Sequence, residues 1–281
     1  MSIKTITKTW LCAALLTPFL LSANASNWHT DLQQLADSDM RGDDHKARNL
    51  YRHPAETLSF MGIEPSMSVL EIWPGHGWYT EILAPFLKDN GQLTLAQFRH
   101  NDGSLKDERS IFWAKVSQRL EQRIEDNTDF FGQPAVIELD PPKLYPKQDA
   151  AFDMILTFRN AHIWNEAGQL AATLKTLFDA LKPGGVLGMV EHRAGKLSDI
   201  SSVAVEGYLD EAYVIAAAEQ AGFVLEASSE INANPADSKN YPKGVYTLPP
   251  TLAMGLQDRQ KYLDIGESDR MTLKFVKPDQ P

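Results

Sequence analysis

"VLEIWPGHGWYT", Val69 to Thr80, reads as a buried strand that runs into a glycine-broken turn and then a helix. Gly75 and Gly77 sit where a backbone passes close to another group, and the helix behind them offers unpaired N–H groups at its start. Trp73 stands where many nucleotide-binding loops carry a further glycine. A G-x-G after one strand is also what a plain tight turn needs, so the flanking sequence has to decide between a binding loop and a turn.

Outward from this stretch, strand-like and helix-like segments alternate. "QLTLAQF", "PAVIEL", "AFDMILTFRN" and "GVLGMVEH" read as strands two to five. "WYTEILAPFLKDNG", "LKDERSIFWAKVSQRLEQRIEDN" and "AGQLAATLKTLFDAL", closed by "KPGG", read as the helices between them. "DEAYVIAAAEQAG" is a further helix, "FVLEASSEI" a sixth strand and "DRMTLKFVKP" a last one. This order predicts an α/β, Rossmann-like, doubly wound seven-stranded sheet with helices on both faces. It is mostly parallel. The last strand has no crossover helix before it and is expected to run antiparallel.

Three divisions follow. Residues 26–60 are polar with a helical pattern, expected to form two short helices that cover the site as a lid carrying Tyr51 and His53. Residues 61–281 form the main domain. Within it, 232–268 is an irregular insertion, rich in Pro, Asn and Gly, with a short helix around Gln257 to Leu263.

Residues 1–25 read as a secretory signal peptide: Lys4 and Lys8, an apolar run from Trp10 to Leu21, then small residues at Ala23 and Ala25. The expectation is an exported, periplasmic protein cleaved near Ala25–Ser26. The run falls short of the roughly 20 apolar residues a spanning helix needs, so no stable membrane anchor is expected. Cys12, the single cysteine, lies in this leader. The remaining chain therefore has no disulfide, thiol chemistry or cysteine-based zinc site open to it.

The 281 residues are 43% hydrophobic and 23% charged, an ordinary globular composition. The formal net charge of -10 argues against nucleic acid as a partner. No G-x-S-x-G element supports a serine hydrolase. An incomplete G-x-G-x-x-G disfavours a dinucleotide.

In its layout the chain resembles the class I S-adenosylmethionine-dependent methyltransferases, from about Met61 to Pro278. The resemblance rests on "VLEIWPGHG", "FDMILTFRN", "ALKPGGVLGMVEH", "AAEQAGF" and the final strand, with helix–"LKPGG"–strand the most specific part. More narrowly, it is similar to a group of exported bacterial predicted methyltransferases that share "WPGxGWYTEILAP" and "GESDRMTLKF".

The resemblance implies S-adenosyl-L-methionine as cofactor. By position, Glu71 matches the acidic residue of the first motif, Gly75 and Gly77 match its last two glycines around His76, and Trp73 replaces the first. Gln97 stands where an acid usually grips the ribose hydroxyls, with Asp102 nearby in sequence. Asp140 matches the residue that meets the adenine amino group, though before Pro141 and Pro142 it also suits a turn. Arg159, beside Asn160, is read as a carboxylate clamp for the methionine part or an ion-pair partner of Glu71 or Glu191.

The catalytic candidates are His162 and His192, at the ends of the fourth and fifth strands, because imidazole titrates near neutrality. Trp164, Glu191 and Arg193 lie beside them. His76, His162 and His192 lack the tight local spacing of metal ligands, so no metal is expected. The function expected is methyl transfer to a small or lipid-like acceptor. The alternative is a non-catalytic small-molecule-binding protein that keeps the fold, with Trp73 and Gln97 marking altered cofactor recognition.

Overall fold

β1 (Ser68–Ile72) is the axis of the sheet. It pairs in parallel with β2 (Gln92–Gln97) on one side and with β5 (Phe152–Phe158) on the other. The computed structural model describes residues 25–195 and 207–279. The expected leader lies outside the described residues apart from Ala25, where the first helix begins.

β3 (Ala135–Asp140) and β4 (Lys143–Tyr145) complete one wing; β6 (Leu181–His192), β7 (Val224–Ser229) and β8 (Arg270–Val276) form the other. The order is β4-β3-β2-β1-β5-β6-β8-β7. The sheet therefore has eight strands and not the expected seven. The addition is β4, a three-residue strand turned back antiparallel on β3 through Pro141 and Pro142. Its residues carry too short a pattern to stand out in sequence. The expected antiparallel last strand is present as β8, which lies between β6 and β7 and pairs antiparallel with both.

The central strands are apolar on both faces, as a sheet covered twice requires. Leu70, Ile72, Ile155, Leu187 and Met189 face a core shared with α9 (Leu170–Ala180) and α10 (Glu211–Ala221). Val69, Met154, Leu156 and Val190 face the other core, shared with α1 (Ala25–Ala36), α4 (Pro54–Met61), α5 (Thr80–Leu87) and α6 (Glu108–Glu125). Neighbouring residues on one strand thus serve opposite cores, which fixes the register.

The amino-terminal segment holds four helices where two were expected: α2 (Asp43–Lys46) and α3 (Asn49–Arg52) are single turns between α1 and α4. Two further short helices, α7 (Thr128–Phe131) and α8 (Ala161–Glu166), carry no sequence signal of their own. In the irregular insertion a 3-10 turn at Gly244–Thr247 precedes α11 (Arg259–Ile265), close to the short helix expected there. Among the described residues no helix is long and apolar enough to cross a membrane.

Candidate active-site cleft

Strand order reverses between β1 and β5, and the carboxyl ends of these two strands open onto a cleft of about 700 Å³. In open α/β sheets ligands sit at this switch point. The loop after β1 contributes Trp73, Pro74, Gly75 and His76. The segment after β5 contributes Arg159, Asn160 and His162. The amino-terminal helices add His45, Arg48 and Arg52, and the far rim brings His192, Tyr246, Glu267 and Ser268.

The glycine loop divides its labour. Gly75 (φ +59) lines the cleft, with room around it: an added Cβ would meet nothing nearer than the Trp113 ring at 3.9 Å. Gly77 (φ +82) does not line it. A Cβ there would come within 2.5 Å of Leu120 on α6, so this glycine serves close packing of loop against helix. Trp73 has φ +44, a left-handed conformation that costs a non-glycine residue about 1–3 kcal/mol. The loop thus keeps a glycine-like backbone at the position where the sequence carries tryptophan.

The Trp73 indole covers the ends of β2 and β3. Its Nε1 donates to the Leu139 carbonyl at 3.1 Å, and its ring stacks on Phe98 at 4.3 Å between centroids. Phe98 in turn stacks on Trp113 of α6 at 4.9 Å. Pairs of this kind add about 0.5–1.5 kcal/mol each beyond area burial, enough to offset the backbone strain. Behind the stack, Gln97 is fully buried and, among the described residues, both polar atoms of its amide lack a partner. Gln97 does not line the cleft. Asp140 does not either; it is exposed at the β3–β4 turn. Asp102 bonds the Ser104 N–H in an exposed loop.

Glu71 lies beneath the loop, buried, accepting from Thr80 Oγ1 at 2.7 Å. Burial pushes its pKa up to about 8. It makes no ion pair with Arg159. Asn160 donates to the Ile72 carbonyl and to Thr157 Oγ1, tying the ends of β1 and β5 together. His76 is exposed at the loop tip, its pKa lowered by partial burial and by neighbouring cations.

His162 and His192 meet, with ring centroids 5.2 Å apart. Glu191, fully buried on β6, accepts from His162 Nδ1 at 2.9 Å, from the His162 N–H at 3.2 Å and from the His192 N–H at 2.8 Å. One carboxylate therefore orients the His162 ring and satisfies a donor in the first turn of α8, and Nε2 has no hydrogen-bond partner among the described residues. His192 Nδ1 lies 2.6 Å from Ser268 Oγ. Burial, then the charges of His162 and nearby arginines, hold His192 well below the usual imidazole range, so it is neutral at pH 7. The ligand-type atoms of His162, Glu191 and His192 lie within 4.8 Å of one another, close enough to share a metal. Each Glu191 oxygen is already engaged by N–H donors, and the surroundings are cationic, which disfavours a metal ion there. Of the other candidates, Trp164 is core and Arg193 is held by Glu211, Glu230 and Asp269 away from the cleft.

Sequence reading missed the charged rim. Among the described residues, six arginines line the cleft (Arg48, Arg52, Arg109, Arg119, Arg123 and Arg159) against two acids, Asp44 and Glu267. Tyr51 and His53, expected on the lid, do not line it; Arg48 and Arg52, one helical turn apart, do. Glu267 and Ser268 belong to the "GESDRMTLKF" stretch, which marked a resemblance and gave no hint of a role in the cleft.

No family model matches the sequence, and no curated protein matches it. Solved structures do. A SAM-dependent methyltransferase from Aquifex aeolicus superposes with a TM-score of 0.54 at 15% identity, over 89% of this chain and 98% of that one. A candidate sarcosine dimethylglycine methyltransferase from Galdieria sulphuraria gives 0.56 at 12% identity, over 89% and 90%. The fold is that of the class I SAM-dependent methyltransferases. The 4+2 cyclase SpnF shares it at a TM-score of 0.52 and 15% identity, over 81% of this chain and 82% of that one. The narrower likeness to an exported bacterial group has no support among these relatives.

Within the methyltransferase fold, the residues present do not fit adenosine at the positions the resemblance implies. The ribose position, Gln97, is sealed off, the adenine position, Asp140, faces solvent, and the Trp73–Phe98–Trp113 stack lies across the strand ends between them. Arg159 is the exception among the expected contacts: it does face the cleft, and it pairs with neither Glu71 nor Glu191.

Proposed function

We propose that this chain is a small-molecule-binding protein that keeps the methyltransferase fold and has given up that fold's contacts to adenosine. The aromatic stack over β2 and β3 carries this reading, because it occupies the strand ends with the protein's own rings. A fold does not fix a chemistry, and the cyclase among the structural relatives supports separating the two here. Calorimetry tests the reading. S-adenosylmethionine at about millimolar concentration is expected to give no binding heat. Tight binding to the wild-type chain that Gly75→Val abolishes overturns it.

A second reading, S-adenosylmethionine-dependent methyl transfer to a small or lipid-like acceptor, is favoured by the His162–Glu191 pair. A histidine held by a carboxylate with its second nitrogen free is equipped to take a proton from an acceptor. On this reading His162→Ala lowers turnover and leaves cofactor affinity nearly intact; an unchanged turnover number removes His162 from the catalytic set. Export is also part of the proposal. The basic start, apolar run and small residues at Ala23 and Ala25 support it, and sequencing the amino terminus of protein recovered from the periplasm tests it.

A further inference from the structure

Among the described residues, Glu267 is the single carboxylate within a group of four guanidiniums. It accepts from Arg48 Nε at 2.7 Å and from Arg52 Nε at 3.0 Å, and it pairs with Arg270 Nη1 at 3.2 Å. Arg159 stands within the same electrostatic cluster. Burial opposes ionisation of Glu267, yet the four arginine charges outweigh it and bring its pKa down to about 2. It is therefore ionised at any ordinary pH, and the group still carries an excess of three positive charges.

Part of that excess is buried, and the rest, on the half-buried Arg48 and Arg159, faces the cleft. Arg52 and Arg270 are each 2% exposed. Arg270 is satisfied by the Ser268 and Tyr51 carbonyls. The other three are not. Among the described residues, Arg52 makes its hydrogen bonds through Nε alone, Arg48 Nη2 is fully buried with no partner, and the Arg159 guanidinium makes no hydrogen bond or ion pair. Arg159 is also held at φ +63, a left-handed backbone that costs a non-glycine residue free energy. These three line the cleft together. Burial, with the neighbouring arginines, lowers Arg52 to about 9 and Arg159 to about 10, the direction expected of cations crowded around one shared carboxylate.

Unpaired buried charge is among the costliest features a fold can carry. A protein of net charge -10 that gathers arginines in one cleft concentrates the opposite field there, and such fields select ligands. Guanidinium forks match the planar edge of a carboxylate and the oxygens of a phosphate. We propose that Arg48, Arg52 and Arg159 form a binding site for a small molecule bearing a compact oxyanion of two or more negative charges, of the phosphate-monoester or dicarboxylate kind.

The proposal rests on the reading of the cleft as a small-molecule site and names its ligand class. It goes beyond a clamp for one methionine carboxylate. That carboxylate would arrive with an ammonium and a sulfonium and would bring net positive charge to a site already in excess.

The test is calorimetry on the full chain, titrated with inorganic phosphate and, separately, with malonate, against chloride at equal ionic strength. At least one of the two is expected to bind more tightly than chloride by about tenfold or more, and which one does so separates phosphoryl from dicarboxylate ligands. Among the described residues the Arg159 side chain makes no hydrogen bond or ion pair, and the bond from its backbone N–H to the Val190 carbonyl is kept on substitution, so Arg159→Gln is expected to fold. It should lose that binding, raise Tm in anion-free buffer, and lose the Tm increase that the anion gives the wild type. Equal, weak heats from phosphate, malonate and chloride overturn the proposal. So does a variant that binds as the wild type does. S-adenosylmethionine is titrated in a separate cell, so its binding decides the reading of the cleft independently of the anion result.

Discussion

Glu191 holds His162 twice, by the ring Nδ1 at 2.9 Å and by the backbone N–H at 3.2 Å, from a strand 29 positions away. The same carboxylate takes the His192 N–H at 2.8 Å. A buried acceptor with three donors sets both the direction of the imidazole and the start of α8.

Glu191→Gln tests that role. An amide has one oxygen for three donors, and its NH2 group then faces an N–H. At least one buried donor loses its partner, which costs roughly 1–3 kcal/mol. Urea unfolding should show a lower midpoint at unchanged slope. A midpoint equal to wild type means that Glu191 does not hold the start of α8.

The two loop glycines should respond differently to alanine. Gly77→Ala meets Leu120 at 2.5 Å as well as a left-handed backbone, and a loss of about 2 kcal/mol or more is expected. Gly75→Ala meets only the backbone penalty, about 1 kcal/mol. Thermal or urea unfolding of the pair checks the order. A larger loss at Gly75 contradicts the packing role given to Gly77.

Trp73→Gly removes the ring across the strand ends and suits the local backbone better than tryptophan does. It loses stacking and a hydrogen bond, so a modest drop in stability is expected, about 1–3 kcal/mol. If the stack is what excludes adenosine, the variant should bind S-adenosylmethionine at least about tenfold more tightly than wild type by calorimetry. Equal affinity in the two proteins shows that the ring does not gate the cleft.

Glu71 gives a pH signature. Its usual pKa is 4.5, and burial raises it to about 8 in the folded protein. Between these values the unfolded chain releases a proton that the folded protein keeps. Stability from this group is full below about pH 4.5 and is lost as pH rises toward 8. The slope reaches at most about 1.4 kcal/mol per pH unit. Glu71→Gln keeps an acceptor for Thr80 and should flatten the fall in urea-unfolding free energy across this window. Parallel curves for variant and wild type show that Glu71 is ionised in the folded state.

How much of this was legible in the sequence depends on range. Alternating apolar runs and helical spacing announced the α/β sheet, its parallel centre and its antiparallel last strand, because burial on a strand repeats every two residues and on a helix every 3.6. The glycine loop at the end of β1 was legible too, since left-handed backbone selects glycine locally. The hairpin strand β4 and the short helix α8 were not. Three to six residues carry too little pattern, and the donor that anchors the start of α8 answers to a carboxylate on another strand.

The cleft shows the same division more sharply. The sequence alone named His162, His192, Arg159, Gly75 and Trp73 as residues near one rim, from their places at strand ends. It could not say that Trp73 lies on Phe98, nor that Arg52 meets Glu267 from 215 positions away. Local dihedral preference and periodicity are properties of neighbours along the chain, and these determined the fold. Whether a ring fills a subsite, or a charge has a partner, depends on which groups distant segments bring together in low dielectric, and only the tertiary structure decided that.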